Sequence, residues 1–217
     1  MPPVELIVEC IESQPFGENS YVAHAAAGND CLIVDPGMEP DLIIDYVREN
    51  RLRPAAILIT HAHGDHIAGI PAMKQEWPDC PVVIGREEAP KLQDPWQNLS
   101  GQFGFPIVLP PADVLLDDGD SYQIAGLTFE VAQIPGHSSG HIVFIWRGSD
   151  TPVVFGGDVL FHGSIGRTDF PGGSFAKLEQ GIKQKLYTLP DDTIVYSGHG
   201  PLTTIGREKR TNPFVHE

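Results

Sequence analysis

Four side chains able to hold a metal ion stand within six residues of this chain: His61, His63, Asp65 and His66. No single face of a strand or helix presents all four, so they belong to a loop, from which they can converge on one point. Imidazole beside carboxylate suits zinc, iron or manganese, and a cluster without cysteine is not a structural zinc finger. Further along come His137, Asp158 and His199, in Pro135-Gly136-His137, Gly156-Gly157-Asp158 and Ser197-Gly198-His199. A tetrahedral catalytic ion takes three protein ligands and a water, so this set is too large for one ion. It suits two ions sharing a bridge, and Asp158, with two oxygens to divide, is the candidate for that bridge. Ion pairs of this kind, ~3.5–4 Å apart, clamp the reacting oxygens of a hydrolytic step. The expected cofactors are therefore two divalent metal ions, zinc first, with iron or manganese as alternatives. His24, His162 and His216 read as ordinary core or surface histidines, and His141 is left open between that role and a brace for the site.

These residues need a scaffold, and each motif falls where a run of strand character ends. Strands are expected over residues 4–10, 21–25, 31–34 and 55–59, the third ending in Asp35-Pro36-Gly37 and the fourth delivering the histidine cluster. Open α/β sheets place ligands at such C-terminal strand ends. Leu42, Ile43, Tyr46 and Val47 give residues 39–52 the stripe of an amphipathic helix, with Pro54 as its stop. Helices are also expected over 65–76 and 174–189, and a short strand closes at Ile84. Residues 94–111 read as a long loop, in which Trp96, Phe103 and Phe105 are candidates for a lid or plain anchors. Strands return over 113–116, 121–124, 127–134, 141–147, 152–155 and 193–196, and the tail from Gly200 reads as a loop. With no internal break in composition, residues 1–217 are expected to form one domain. The simplest architecture is α/β, an αββα sandwich of two packed mixed sheets flanked by helices, although periodicity alone does not order the layers.

The formal charge of -15, from 29 acidic and 14 basic residues, argues against nucleic acid as the main partner. It does not exclude an anionic small substrate, because bound cations dominate the field of a site. Cys10, Cys31 and Cys80 include no Cys-x-x-Cys pair and read as buried, reduced thiols of a cytoplasmic protein. The N-terminus lacks the basic and apolar regions of a signal peptide, and no apolar run nears the ~18 residues of a membrane span, so no membrane association is expected.

The motifs at Asp35, His61–His66, His137, Asp158 and His199, in that order, resemble the metallo-β-lactamase superfamily. That resemblance implies a first metal site of His61, His63 and His137 and a second of Asp65, His66 and His199, bridged by Asp158. Asp35 resembles the family's buried acid behind the site, a brace rather than a ligand. Gly157-Asp158-x-Leu160-Phe161, the string from Ser164 to Gly173, the string from Gly198 to Gly206, and Thr211-Asn212-Pro213-Phe214 are similar to the glyoxalase II group of hydroxyacylglutathione hydrolases. They resemble in particular its short bacterial members without a C-terminal helical domain. Arg167 stands where that group has a Lys or Arg facing the glutathione moiety, but Asp169 replaces its aromatic residue, and Pro201 stands where it has a tyrosine.

The resemblance implies hydrolysis of a small-molecule thioester by a metal-bound hydroxide. Asp65 and Asp158 would be the catalytic carboxylates, Asp65 orienting the hydroxide. Arg167 would hold an anionic part of the substrate, or else form a salt bridge that shapes the 162–173 loop. The chief rival on the same fold is a persulfide dioxygenase, with one iron on His61, His137 and Asp158. A nuclease, disfavoured by the charge, and a non-catalytic metal-binding module are lesser rivals. The sequence leaves the oligomeric state open.

Overall fold

A computed structural model describes residues 5–216, and within them the chain builds its two main sheets one after the other. Leu6–Ser13 (β1), Glu18–Ala25 (β2), Asp30–Val34 (β3), Arg53–Ile59 (β4), Val82–Gly85 (β5) and Val114–Leu116 (β6) form the first, in that order. The β1/β2 and β2/β3 pairs are antiparallel and the later ones parallel, with Pro40–Glu49 (α1) crossing from β3 to β4 and Gly64–Ile67 (α2) and Ile70–Glu76 (α3) from β4 to β5. The chain then passes once to the second sheet, between Leu116 and Ser121. Ser121–Ile124 (β7), Leu127–Gln133 (β8), Ile142–Trp146 (β9) and Val153–Gly157 (β10) run as an antiparallel meander. Leu160–Phe161 (β11) and Ser164–Ile165 (β12) form a small separate hairpin, and Phe175–Gly181 (α4) leads to Ile194–Ser197 (β13), which pairs parallel with β10. Thr203–Thr204 (β14) and Ile205–Thr211 (α5) close the chain.

Strand alternation explains the layers. In β3, Leu32 and Val34 face the second sheet and join Ala56, Leu58, Phe129, Phe144 and Phe155 in the core between the sheets. Cys31 and Ile33 face outward and pack with Ile43, Val47 and Met73 of α1 and α3. On the far side, Val143, Val154 and Val195 pack against Leu178, Ile182 and Ile205. Strands buried on both faces read as unbroken apolar runs, which is why the sequence could not order the layers. The result is the expected αββα sandwich of two mixed sheets between helices. No helix among the described residues is long and apolar enough to cross a membrane.

Cys31 and Cys80 are buried as expected, but Cys10 is exposed, because it lies on the edge strand β1. Several expected boundaries also move. The strand expected from Val4 is described from Leu6 and runs on to Ser13, while Val4 lies outside the described residues. Helix α1 ends at Glu49, and the chain turns at Arg51, whose φ is 55°, so Pro54 does not stop the helix but lies inside β4, where the β3/β4 register shifts. The helix expected over 65–76 is two helices. At Gly69, whose N–H donates to the Pro36 carbonyl over 2.8 Å, a Cβ would come within 2.7 Å of the Gly37 carbonyl oxygen, so the break brings this segment against the Asp35 turn. The tail from Gly200 is not a loop. Thr204 caps α5 by accepting from the Arg207 N–H, and buried Glu208 accepts from Gly163 N–H at 2.9 Å, tying the tail to the β11–β12 hairpin.

Candidate metal centre

All five motifs meet at one end of the sandwich, where the strands of both sheets deliver them. Asp35 follows β3, the His61–His66 segment follows β4 and opens α2, His137 lies between β8 and β9, Asp158 follows β10, and His199 follows β13. Asp35 has φ 47°, a left-handed conformation that Asp tolerates, and this turns its carboxylate back toward β4. Oδ1 accepts the Thr60 N–H at 2.8 Å, and Oδ2 accepts the Thr60 hydroxyl at 2.6 Å and the His66 Nδ1–H at 3.1 Å. With its hydroxyl proton given to Asp35, Thr60 can accept from His61 Nδ1 at 3.1 Å.

Bonds of this kind leave one nitrogen of each ring free. His137 Nδ1 donates to the Arg167 carbonyl at 2.9 Å and His199 Nδ1 to the Gly17 carbonyl at 3.2 Å. The Nε2 atoms of His61, His66, His137 and His199 are thereby turned inward as lone-pair donors, the arrangement that orients metal-binding imidazoles. His61 Nε2 and His137 Nε2 lie 3.0 and 2.9 Å from His63 Nδ1. His199 Nε2 lies 3.5 Å from Asp65 Oδ2, and these two group with His66 as a second triad. Asp158 stands between the triads: Oδ1 is 3.4 Å from His66 Nε2, and Oδ2 is 3.4 Å from His137 Nε2 and 3.5 Å from His199 Nε2. Asp35, His61 and His66 also lie close together, but the hydrogen bonds to Thr60 and His66 engage both Asp35 oxygens, so this acid braces rather than ligates.

The residues fit two divalent cations on physical grounds. His66 Nε2 and Asp158 Oδ1 are buried without a hydrogen-bond partner, and three neutral imidazole nitrogens facing one another repel unless a cation lies among them. Burial, reinforced by neighbouring imidazoles, pushes His61 and His63 well below the ordinary histidine range, so they are neutral as ligands must be. Burial would lower His66 too, but Asp158, Asp65 and Asp35 outweigh it and hold this imidazole well above that range. Asp158 is the counterpart: burial opposes its charge, and His66 and His137 overcome that and keep it ionised.

Several contributors carried no sequence signal. Glu88, fully buried, accepts from the Ala62 N–H at 3.1 Å, the Ser138 hydroxyl at 2.6 Å and the Gly140 N–H at 2.9 Å, and pairs with Lys91 at 2.9 Å. One carboxylate thus ties the His61–His63 loop to the His137–His141 loop, and nothing in the local sequence marks it apart from Glu87. Glu18, also buried, accepts from Ser13 and Ser20 and lies 3.9 Å from His66 Nδ1. Asn19 donates to the Ser197 and Gly200 carbonyls, fixing the loop that carries His199. His141 is a brace: it stacks on His61 with centroids 4.7 Å apart and accepts the Asp158 N–H at 3.1 Å.

Above the triads lies a cavity of about 430 Å³, walled by Phe16, Leu99, Phe103, Phe161, Ile165 and Phe170, with Arg167 at its edge. Of the three lid candidates Phe103 lines it, and Phe105 supports Phe103 and Phe16 from behind. Trp96 is 66% exposed and does not line it. Phe16, in the turn between β1 and β2, was not singled out by the sequence. Arg167 lines the cavity, pairs with Asp169 at 2.7 Å and stacks over Phe170, so the salt bridge expected within the 162–173 loop is present.

A family model described as "Metallo-beta-lactamase superfamily" matches residues 13–199. This chain belongs to the metallo-β-lactamase superfamily. Within the superfamily it is 40% identical over 216 residues to "Hydroxyacylglutathione hydrolase GloC" of Haemophilus influenzae, a match covering 96% of this chain and 98% of that protein. Among solved superfamily structures, it resembles one titled "Crystal structure of BLEG-1 B3 metallo-beta-lactamase", with 40% identity, TM-score 0.92, and coverage of 97% of this chain and 100% of that one. It also resembles "Crystal structure of TTHA1623 in a di-iron-bound form", with 36% identity, TM-score 0.83, and coverage of 95% and 100%.

Proposed function

We propose that this protein is a cytoplasmic, metal-dependent thioester hydrolase of the glyoxalase II type, acting on a hydroxyacylglutathione or a related small acyl thioester. The observation that carries this reading is the pair of inward-facing triads joined by Asp158 on the floor of an apolar cavity. The likeness to the Haemophilus hydrolase supports the same chemistry. His61, His63 and His137 would hold one ion and Asp65, His66 and His199 the other, with Asp158 between them. Zinc suits an imidazole-rich set of nitrogen and oxygen donors, and iron is the alternative that the di-iron relative supports. Bound ions of this kind acidify water and polarise a carbonyl.

The chain's own residues do the rest. Asp65 is held ionised: burial opposes its charge, and His66 and His199 outweigh that, so its oxygen at the cavity can accept a hydrogen bond from an attacking water and orient it. The aromatic wall keeps bulk water from the acyl group and seats it. No strong acid is needed at the leaving group, because a free thiol has a pKa of only about 8.5 and departs as thiolate.

The test is steady-state kinetics on S-lactoylglutathione under argon, with metal analysis of the same sample. Thioester cleavage by protein carrying two ions per chain is the expected result. Oxygen consumption with a glutathione persulfide by protein holding one iron would overturn it. So would opening of a β-lactam ring without thioester cleavage.

A further inference from the structure

Leu99 holds a left-handed backbone, with φ 66°. That conformation crowds a Cβ against the following carbonyl and is uncommon outside Gly, Asn and Asp. Strain of this kind persists only where the surroundings impose it, and it gathers at functional sites. Here the residues on either side impose it. Asn98 is fully buried, and its side chain uses all four of its hydrogen-bonding positions. Nδ2 donates to the Lys91 carbonyl at 3.1 Å and the Ile107 carbonyl at 3.0 Å. Oδ1 accepts the Ser100 N–H at 3.1 Å and the Ser100 hydroxyl at 2.5 Å, and the Ser100 oxygen accepts the Ile107 N–H at 2.8 Å in turn. This knot is docked on the metal-binding segment. The Gly64 N–H donates to the Asn98 carbonyl at 2.8 Å, and a Cβ on Gly64 would come within 2.9 Å of the Ser100 Cβ. Leu99 thereby joins His63, Gly64 and Asp65 in the lining of the cavity. Only 3% of it is exposed, yet it belongs to none of the three apolar cores of the described residues. A buried apolar side chain that supports no core and lines a cavity is placed to pack against what enters.

We infer that Leu99 is a specificity-determining residue and Asn98 the residue that positions it: together they set an apolar contact for the substrate group next to the reacting carbonyl. The inference rests on the thioester hydrolase reading for the identity of that group, but the contact can be tested by binding alone. Glycine adopts φ 66° without strain, so Leu99→Gly removes the side chain and is expected to keep the loop's backbone.

The first measurement is calorimetric binding of S-hexylglutathione and S-methylglutathione, thioethers that cannot be hydrolysed, to the zinc-loaded protein. The two share a carrier and differ only in apolar length, so the ratio of their affinities reads the apolar wall. The natural protein should bind the hexyl compound about tenfold or more tightly than the methyl one. Leu99→Gly should reduce that ratio about three- to tenfold, as loss of one apolar contact does. Asn98→Ala should reduce it in the same direction while bound zinc stays at the natural level, a split that lost stability alone does not produce. Where Asn98→Ala does not fold, Ser100→Ala, which takes only the hydroxyl from the knot, serves in its place. An unchanged ratio in Leu99→Gly would overturn the role of Leu99, and an unchanged ratio in the knot variant would overturn that of Asn98. The second measurement is steady-state kinetics on S-hexanoylglutathione. Leu99→Gly should raise KM about three- to tenfold and lower kcat by less than about threefold, the mark of lost binding rather than lost chemistry. A loss confined to kcat would overturn the inference. Cleavage of no thioester would sink the hydrolase reading instead, while the thioether ratio would still decide the role of Leu99.

Discussion

Replacing Asp158 by Asn keeps the shape of the side chain and removes the charge that both triads share. Asp158→Asn should lower bound metal and thioester cleavage together, by more than the roughly 10–100-fold that loss of a bracing partner costs. Full activity at normal metal content would refute the bridge. Asp35→Asn should act more narrowly, because Asp35 reaches the site through Thr60 and His66. Metal affinity of the Asp65–His66–His199 triad should fall about 10–100-fold while that of the other triad falls less, as metal titration would resolve. The two triads should also differ in pH response. A ligand imidazole must be neutral. His61, His63 and His137 are held low by burial, whereas carboxylates hold His66 and His199 high against burial. Metal entering the second triad must therefore displace protons, so its affinity rises with pH until the raised imidazoles have titrated, by up to about tenfold per pH unit for each proton displaced. Equal pH slopes for both sites would contradict this. The seven candidate ligands were legible because histidine and aspartate, clustered in one segment or set beside glycine at strand ends, carry their chemistry in their type. Glu88 and Glu18 were not, since a lone glutamate in sequence reads as a solvated surface residue, and only the fold reveals that these two are buried.

At the scale of elements, two glycines hold the site's loops together by having no side chain. Gly69 brings the start of α3 against the Pro36 and Gly37 carbonyls. Gly166, just past β12, passes so close to the Asp158 backbone that a Cβ there would overlap the Asp158 carbonyl oxygen. Gly69→Ala should cost about 1–3 kcal/mol of stability in denaturant unfolding, the usual penalty for forcing atoms into a packed site. Gly166→Ala should displace Asp158 and lower metal content even where the protein stays folded, a split that circular dichroism with metal analysis would detect. Periodicity marked the strands and α1 well, because each has an apolar stripe of adequate length. It ran one helix through Ala68-Gly69 because the apolar spacing continues across the break, and only the approach of the Asp35 turn interrupts it. It missed β11, β12, β14 and α5 because two-residue strands and a seven-residue helix, closed by Glu208, leave too little pattern to see.

At the scale of the molecule, the site gathers Asp35, Asp65, Asp158 and Glu18 within a chain already strongly acidic, so cations should stabilise the fold as well as the chemistry. A ligand at about a hundred times its dissociation constant adds ~2.7 kcal/mol, which for a chain of this length moves the melting midpoint by roughly 5–10 °C. Chelation should lower the midpoint by that amount and restored metal should recover it, as calorimetry would measure. An unchanged midpoint would mean that the ions do not prefer the folded chain to the unfolded one at the concentration used. The unbroken apolar runs made two-sided burial legible, but not which sheet faces which, since that depends on pairings far apart in sequence. The single passage of the chain between Leu116 and Ser121 has a mechanical side. Everything before it, including His61, His63, Asp65 and His66, belongs to one slab, and His137, Asp158 and His199 belong to the other. Any sliding of one slab over the other would pull each triad apart, for each draws on both. Seated ions would act as rivets through the seam, making the stiffness of the sandwich and the shape of the reaction centre a single mechanical property.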